Sequence, residues 1–247
     1  ILFNSDMIGK AKVSEALTVL KKLNPSVIFE IHNAVLNKEN VQDLFLKYDV
    51  ILDGSDNFDT KYLINDAAVK FNKPWIYGAI QGFDGQVSVF NASLGPCYRC
   101  LFPKPPVAKI TNCSEAGVLG VVAGLVGITQ ALQAIYLMVN HNPLELLIGK
   151  LWLFNALNLD TKKISIPKKQ NCSVCAQSND SIILPEVLAL TCTSDIPLMQ
   201  PHKLKELLNC VLIDVRELEE YQNAHIADAL NFPLSTLSER EFAQTFE

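Results

Sequence analysis

The first part of the chain alternates between two hydrophobic periodicities, one typical of helices and one typical of strands. From residue 12 to residue 23 the apolar positions recur at helical spacing, and Asn24–Pro25 ends the pattern. The pattern predicts helices over 12–23, 41–47 and 60–71, and strands over 26–32, 50–52, 75–77 and 86–91. Strands and helices in succession predict an α/β fold with a mostly parallel sheet.

Residues 116–139 form a run of 24 positions without a charge. The length permits a membrane span, but Thr129, Gln130 and Gln133 interrupt the run and no Lys or Arg cluster flanks it. We therefore expect no membrane association and a buried helix at a subunit contact, with a membrane span as the alternative. Four glycines on one helical face would let a second backbone approach closely: Gly117, Gly120, Gly124 and Gly127.

The last third of the chain contains the start of a second α/β unit. Strands are predicted over 151–155 and 163–166, and the stretch 178–201 has no clear period. A helix at 203–208 and a buried strand at 211–216 follow. The expected organisation is a domain over 1–177, a linker over 178–197 and a second unit over 198–247.

The net charge and the distribution of the cysteines exclude some classes of function. The net charge of −5 argues against a basic nucleic-acid surface, and no basic-then-apolar leader opens the chain. Of seven cysteines, four stand in two tight pairs and three are scattered. That distribution favours a metal site and free thiols in a reducing compartment over a disulfide framework, so a cytoplasmic location is expected.

The two Cys-x-x-Cys pairs, Cys97 with Cys100 and Cys172 with Cys175, are the strongest chemical signal. Each pair presents two sulfurs to one metal, and Zn²⁺ favours a tetrahedral set of four thiolates. Because 71 residues separate the pairs, the site would clip two distant segments together. A closed four-cysteine site has no open position, so its expected role is structural. A redox pair is the alternative for either motif alone.

A third cysteine, Cys113, stands in a loop just before the uncharged helix. A helix N-terminus lowers the pKa of a thiol and favours the nucleophilic thiolate, which makes Cys113 a candidate for chemistry. An inert buried cysteine is the alternative. Cys192 and Cys210 have no such setting and are expected to be packing residues.

Polar residues directly follow the buried strand at 50–52. Asp53, Asp56 and Asn57 offer hard oxygen ligands at a strand end, where Mg²⁺ and phosphate groups bind in open α/β sheets. A plain turn that caps the next helix is the alternative. Lys10 and Lys12 lie at the start of the first predicted helix, either as a solvated charged end or facing a phosphate. The sequence contains neither a G-x-G-x-x-G after a strand nor a P-loop motif.

Several motifs in order resemble the MoeB/ThiF/HesA group, the E1-like adenylyltransferases that activate ubiquitin-fold sulfur carriers. They are DGSDN, LINDAAV, GQVSVF, GPCYRCLFPKPP, TNCSEAGVLGVV and NCSVC. The resemblance covers roughly residues 1–177 and is closest to the longer members, in which a rhodanese domain follows. The tail resembles the first half of that domain through LIDVR, EEY and ALNFP, with Asp228 where a glycine is usual. Its persulfide cysteine loop is expected after Glu247.

The resemblance implies that ATP·Mg²⁺ and the Gly-Gly carboxylate of the carrier form an acyl-adenylate and pyrophosphate. By position, Lys12 matches the phosphate-binding lysine, Asp56 the magnesium-linked aspartate and Asn57 a nucleotide contact. Cys113 matches the cysteine that attacks the adenylate or holds a sulfur-linked intermediate, and Lys61 stands where an arginine is common. The zinc ligands match Cys97, Cys100, Cys172 and Cys175.

The family's Gly-rich loop, ribose-binding acid and catalytic arginine are expected upstream of Ile1, so this chain alone is not expected to make adenylate. The resemblance also implies a homodimer, and a role in molybdopterin, thiamine, cysteine or tRNA thiolation. Two other functions stay open. A dinucleotide-dependent oxidoreductase would have a similar sheet but no use for the paired cysteines. A catalytically inactive, zinc-stabilised module would bind a ubiquitin-fold partner without releasing pyrophosphate.

Overall fold

The computed structural model describes residues 2–106, 117–139, 142, 145–187 and 211–233. The chain divides into two compact units, Ile1–Ala189 and Leu190–Glu247. Cys113, Cys192, Cys210 and the helix predicted at 203–208 lie outside the described residues.

Five α-helices are described in the first unit, and three of them follow the predicted pattern closely. The helices are α1 (Lys12–Leu23), α2 (Val41–Lys47), α3 (Phe58–Lys70), α4 (Tyr98–Leu101) and α5 (Gly120–Met138). Short 3₁₀ turns occur at Ser5–Met7 and Asn179–Ser181. Helix α3 begins earlier than predicted because Asn57 caps it, accepting a hydrogen bond from the Thr60 N–H.

A five-stranded sheet forms the centre of this unit, in the order β1-β2-β3-β4-β5. The strands are β1 (Ile51–Leu52), β2 (Trp75–Gln81), β3 (Asp84–Phe90), β4 (Lys150–Asn155) and β5 (Thr161–Ser165). Only β1 and β2 pair in parallel, and the other three neighbouring pairs are antiparallel. The α/β class is confirmed, but the described sheet is not mostly parallel. Strand–helix alternation ends at β2, and the tight β2–β3 and β4–β5 hairpins can join only antiparallel strands.

The strand predicted over 26–32 is wrong for the described structure, in which this segment is irregular. Its apolar side chains are largely solvent-exposed, with Ile28 95% exposed. A strand is stabilised by hydrogen bonds to a neighbour, and among the described residues this segment has none in a sheet. Alternation alone therefore could not make it a strand.

The sheet separates two apolar cores. On one face, Trp75, Tyr77 and Phe90 pack with Tyr98 of α4 and with α3, whose residues 61–69 are all buried. On the other face, α5 lies over β2 and β3, so close that a Cβ at Gly85 would come within 2.8 Å of Val126. Helix α3 is thus a central element, with more of its surface buried than the one face that its sequence pattern predicted.

Helix α5 is less buried than predicted. Five of its 19 residues are buried: Val122, Val126, Gln130, Gln133 and Ala134. Its other side exposes Val121, Ile128 and Met138, each at more than 60%. Apart from the helix's own backbone, no described atom lies within 4 Å of a Cβ built on Gly120, Gly124 or Gly127. Of the described helices, α5 alone is long and apolar enough to cross a membrane, a test that ordinary core helices also pass.

The second unit is described between residues 211 and 233. Strands β6 (Ile213–Asp214) and β7 (Leu230–Asn231) pair in parallel, and helix α6 (Leu218–Asn223) connects them. Glu217 and Glu220 form a capping box at the start of α6. Arg216 pairs with Asp214 at 2.6 Å and donates to the Ala224 carbonyl oxygen.

Candidate metal centre and acidic loop

The four paired cysteines converge, as their spacing predicted. Cys97 caps α4 and Cys100 lies within it, while Cys172 and Cys175 lie in the turns that follow β5. The sulfur atoms are 3.6 Å apart for Cys97 and Cys172, and 3.5 Å apart for Cys100 and Cys175. All four lie within 4.8 Å of one another. These cysteines thus join α4 to a segment far along the chain.

The geometry of the cluster fits a tetrahedral thiolate site. Tetrahedral zinc with Zn–S bonds of about 2.3 Å places its sulfurs about 3.8 Å apart. Three of the sulfur–sulfur separations are 3.5 to 4.0 Å, close to that value and about twice a disulfide bond. Three of the four cysteines are buried and Cys175 is half-buried. The cluster therefore presents four soft donors around one point.

Without a cation, the four thiols cannot all ionise. A hydrogen bond with Cys175, together with burial, raises the pKa of Cys97. The same contact has the opposite effect on its partner, because the Cys97 thiol donates to the Cys175 thiolate and lowers the pKa of Cys175 to about 5. Burial raises the pKa of Cys100. A bound dication would compensate the repulsion among four thiolates.

The Cys97–Cys100 knuckle is held against the second half of α3. The buried Asn65 side chain accepts a hydrogen bond from the Tyr98 N–H at 2.8 Å. Asp66 binds the Arg99 guanidinium through two hydrogen bonds of 2.7 and 2.8 Å. The Arg99 guanidinium also lies 4.6 Å from the centre of the Tyr62 ring. Sequence reasoning did not identify Asn65, Asp66 or Arg99.

The acidic loop lies at the carboxyl end of β1, at the first half of α3. Asp53 begins it, accepting hydrogen bonds from the Ser55 N–H at 2.8 Å and the Ser55 hydroxyl at 2.6 Å. Asn57 ends it as the cap of α3, and Asp56 and Asn57 are solvent-exposed. The turn and helix-cap interpretation is therefore correct for the backbone, and it leaves the Asp56 carboxylate facing solvent.

Asp53 has a different environment from Asp56, so the prediction that both aspartates suit magnesium is wrong for Asp53. Its side chain is fully buried and accepts a hydrogen bond from Lys61 Nζ at 2.7 Å. Lys61 Nζ also donates to the Gly78 carbonyl oxygen at 2.9 Å and lies 5.0 Å from the centre of the Tyr77 ring. Lys61 therefore neutralises the buried Asp53 carboxylate, which is not available to a metal ion.

Gln130 supports the same loop from the opposite face of the sheet. Its Nε2 donates to the carbonyl oxygens of Asp53 at 2.8 Å and Ile76 at 3.0 Å. This close passage needs a glycine, because a Cβ at Gly78 would lie 2.6 Å from the Gln130 amide. From the sequence, Gln130 only interrupted an apolar run. Its amide within an apolar run was the available signal for a buried hydrogen-bond donor.

The remaining predicted site residues are dispersed. Lys12 is the first residue of α1 and is solvent-exposed, on an element separate from the acidic loop. No hydrogen bond or ion pair connects it with Asp56 in the described part of the chain. Cys113 lies outside the described residues, so its nucleophilic role stays a prediction.

The fold and the cysteine cluster define an α/β domain with a candidate metal clip and an exposed acidic loop at a strand end. The model of the ThiF family matches residues 1–174, and the chain belongs to that family. The rhodanese-like domain model matches residues 200–247.

Curated relatives agree with this assignment. The chain is 34% identical over 257 residues to an adenylyltransferase and sulfurtransferase MOCS3 of Drosophila grimshawi, covering 97% of this chain and 57% of that protein. It is 40% identical over 181 residues to a sulfur carrier protein adenylyltransferase of Thermus thermophilus, covering 71% and 66%. A probable molybdopterin-synthase adenylyltransferase of Pyropia yezoensis is 35% identical over 246 residues, covering 96% and 63%. The chain thus spans 57 to 66% of the length of these relatives.

Solved structures agree on the fold. A crystal structure of E. coli MccB with MccA-N7isoASN superposes with a TM-score of 0.61 at 17% identity, covering 71% of this chain and 54% of that one. A structure of E. coli MccB with ATP gives a TM-score of 0.56 at 17% identity, covering 72% and 54%.

Proposed function

We propose that the whole protein uses ATP and Mg²⁺ to adenylylate the C-terminal Gly-Gly carboxylate of a ubiquitin-fold sulfur-carrier protein. The observation that carries this proposal is the exposed Asp56 carboxylate, fixed at the carboxyl end of β1 in a chain of the ThiF family. The names of the Drosophila and Thermus relatives supply the reaction class.

In the proposed reaction, a carboxylate oxygen of the carrier attacks the α-phosphorus of ATP. The bond from that phosphorus to the bridging oxygen breaks, so acyl-adenylate and pyrophosphate form. Such a transfer depends chiefly on positioning and charge neutralisation. Asp56 supplies a hard oxygen ligand for Mg²⁺, Lys12 neutralises phosphate charge, and Asn57 contacts the nucleotide.

Zinc at the cysteine cluster would be structural. Cys97, Cys100, Cys172 and Cys175 would hold it as a closed set, and the metal would supply folding energy by joining α4 to the turns after β5. A metal with four thiolate ligands would have no vacant coordination position for a substrate. The alternative function, a dinucleotide-dependent oxidoreductase, explains neither this cluster nor the match to the ThiF family.

Capture of the activated carrier as a thioester, the step before sulfur transfer, forms the second half of the proposal. The Cys113 thiolate attacks the acyl-adenylate carbonyl, so a thioester forms and AMP leaves. The rhodanese-like match at 200–247 agrees with a role in sulfur delivery. The names of the relatives favour molybdopterin synthesis among the pathways, with thiamine, cysteine and tRNA thiolation as the others.

A cytoplasmic homodimer completes the proposal. The free thiols of the cluster suit a reducing compartment. The exposed apolar side of α5, with Val121, Ile128 and Met138, offers a surface that a second copy would cover. Sedimentation of the whole protein tests this: a charged residue at Ile128 should convert dimer into monomer, and an unchanged mass would exclude this face.

The test of the reaction is the mass of the carrier. The whole protein is incubated with ATP, Mg²⁺ and a ubiquitin-fold carrier that ends in Gly-Gly. The expected products are a carrier whose mass has increased by one adenylyl group and the thioester of the carrier with the enzyme, and neither should form with a control carrier extended by one residue. In the Cys113→Ala variant, adenylate should still form while sulfur transfer is lost. Carrier binding without adenylate or pyrophosphate would favour the inactive-module alternative.

A further inference from the structure

A buried ion pair lies directly beneath the acidic loop. The Asp53 side chain is fully buried and that of Lys61 is 6% exposed, with the charged atoms 2.7 Å apart. One oxygen of Asp53 holds Lys61, and the other accepts both hydrogen bonds from Ser55. Every described contact of this carboxylate thus fixes either the start of the loop or the helix that follows it.

Stability does not explain such a pair, because the desolvation of two buried charges commonly equals or exceeds their attraction. A fixed geometry does explain it. Lys61 lies on α3, whose cap is Asn57, so the pair connects the first residue of the loop to the helix that starts at its end. Asp56 therefore lies on a short span with both ends anchored, and its own side chain stays free for a ligand.

We infer that Asp53 and Lys61 are positioning residues that hold the Asp56 carboxylate where it binds the magnesium of Mg·ATP. This inference rests on the proposed function and goes beyond it, because it assigns a role in the reaction to two residues that do not touch substrate. Ser55 transmits the position, since it is bonded to Asp53 through both its N–H and its hydroxyl.

The same helix provides a matched control. Asp66 is as buried as Asp53, at 2%, and also pairs with a cation on a different segment, Arg99. It faces the cysteine knuckle instead of the acidic loop. Asp66→Asn and Asp53→Asn each neutralise one buried carboxylate of an ion pair, so they separate loss of packing from loss of loop position.

The experiment measures Mg·ATP binding and carrier-dependent adenylate formation in the whole protein and its variants. Asp53→Asn and Lys61→Met should raise the Kd and KM for Mg·ATP on the order of tenfold, as misplacement of a ligand group does. Their kcat should change by less than about threefold, because a ground-state contact is lost. Lys61→Arg should recover most of the affinity, while Asp66→Asn should lower the melting temperature and leave the Kd unchanged.

Equal Kd values for Mg·ATP in Asp53→Asn and Asp66→Asn, at matched folded fractions, would overturn the inference. A Lys61→Arg variant that binds Mg·ATP no more tightly than Lys61→Met would also overturn it. If the buried-charge variants fail to fold, Ser55→Ala decides, since it removes only one hydroxyl; an unchanged Kd then rejects the inference. A wild type that binds Mg·ATP and forms no adenylate rejects the proposed function alone, because the Kd comparison still reports on position. A wild type that binds no Mg·ATP rejects both.

Discussion

The two halves of α3 support regions of opposite character. At its second half, Asn65 and Asp66 hold a cysteine knuckle whose donors all point at one another. At its first half, Asn57 and Lys61 hold a loop whose acidic side chain points to solvent. Each region has a buried aspartate–cation pair beneath it. The sulfurs of the cysteine cluster lie close to one another, whereas the Asp56 carboxylate of the acidic loop is exposed to solvent.

Under the proposed function, the two regions have different tasks. A closed set of four thiolates leaves a metal no vacant coordination position, so the cysteine cluster can stabilise but cannot bind substrate. An exposed carboxylate on an anchored loop has free lone pairs and a fixed place, which suits a hydrated magnesium ion that keeps several waters. The first region should thus control folding and the second should control ATP chemistry.

The largest effect is expected from removing one ligand of the cysteine cluster. Cys172→Ser should eliminate one zinc per chain and lower the free energy of unfolding by more than about 4 kcal/mol, as loss of a structural metal does. Elemental analysis and denaturant unfolding measure both. Ser173→Ala, between the two distal cysteines, should retain the metal. A folded Cys172→Ser protein with unchanged stability would contradict the structural role.

Acid should remove the same metal. Cysteine binds a metal as the thiolate, and a falling pH protonates the ligands of the cluster. Protons then compete with the metal, and zinc should be released together with the folding energy it supplies. A chromophoric chelator follows the release, and removal of metal by chelator at neutral pH should give the same unfolding. Unfolding at low pH with the metal still bound would contradict this prediction.

The next effect tests the pair beneath the acidic loop. Lys61→Met leaves the charge of Asp53 buried without a cation beside it and should cost about 3–5 kcal/mol in unfolding free energy. Asp66→Asn leaves Arg99, which at 16% side-chain exposure reaches solvent, so its cost should be lower, about 1–3 kcal/mol. Thermal unfolding measures both.

The double variant Asp53→Asn/Lys61→Met provides the control for the buried pair. It should lose less than the sum of its two single variants, because neither charge is then left unpaired. Strict additivity would show that the two residues are not coupled.

A smaller effect is expected from adding one methyl group at the sheet. Gly78→Ala would push against the Gln130 amide at 2.6 Å and should cost about 1–3 kcal/mol. Gly124→Ala, made in the monomeric variant with a charged residue at Ile128, is the matched control: beyond the helix's own backbone no described atom lies within 4 Å of its Cβ, and alanine should stabilise the helix by roughly 0.5–1 kcal/mol. Denaturant unfolding of both should give changes of opposite sign. Destabilisation by Gly124→Ala in the dimer but not in the monomeric variant would support a second copy on α5.

Local patterns predicted much of this structure, because helices and metal knuckles depend on nearby residues. The bounds of α1 and α2 and the meeting of the four cysteines follow from spacing alone. Long-range partners were not predictable in this way. The alternation at 26–32 could not reveal that the segment lacks a neighbouring strand, and the hairpin after β2 reversed the expected strand direction.

Burial of charge was the other feature that the sequence concealed. Asp53 and Asp56 stand three positions apart in the same turn, and both resemble metal ligands in sequence. Only the fold shows that Lys61 neutralises one and leaves the other exposed. Nothing in the sequence near Lys61 indicates that it is buried, since lysine is rarely buried without a partner.

Carrier-dependent exchange of pyrophosphate into ATP by the Asp56→Asn variant tests the central claim most directly. The claim is that the acidic loop performs the ATP chemistry, while the cysteine cluster maintains the fold. The predicted result is exchange by the whole wild-type protein only with its carrier, and a loss on the order of 100-fold in Asp56→Asn at unchanged melting temperature and zinc content. Exchange by Asp56→Asn at the wild-type rate would contradict the account.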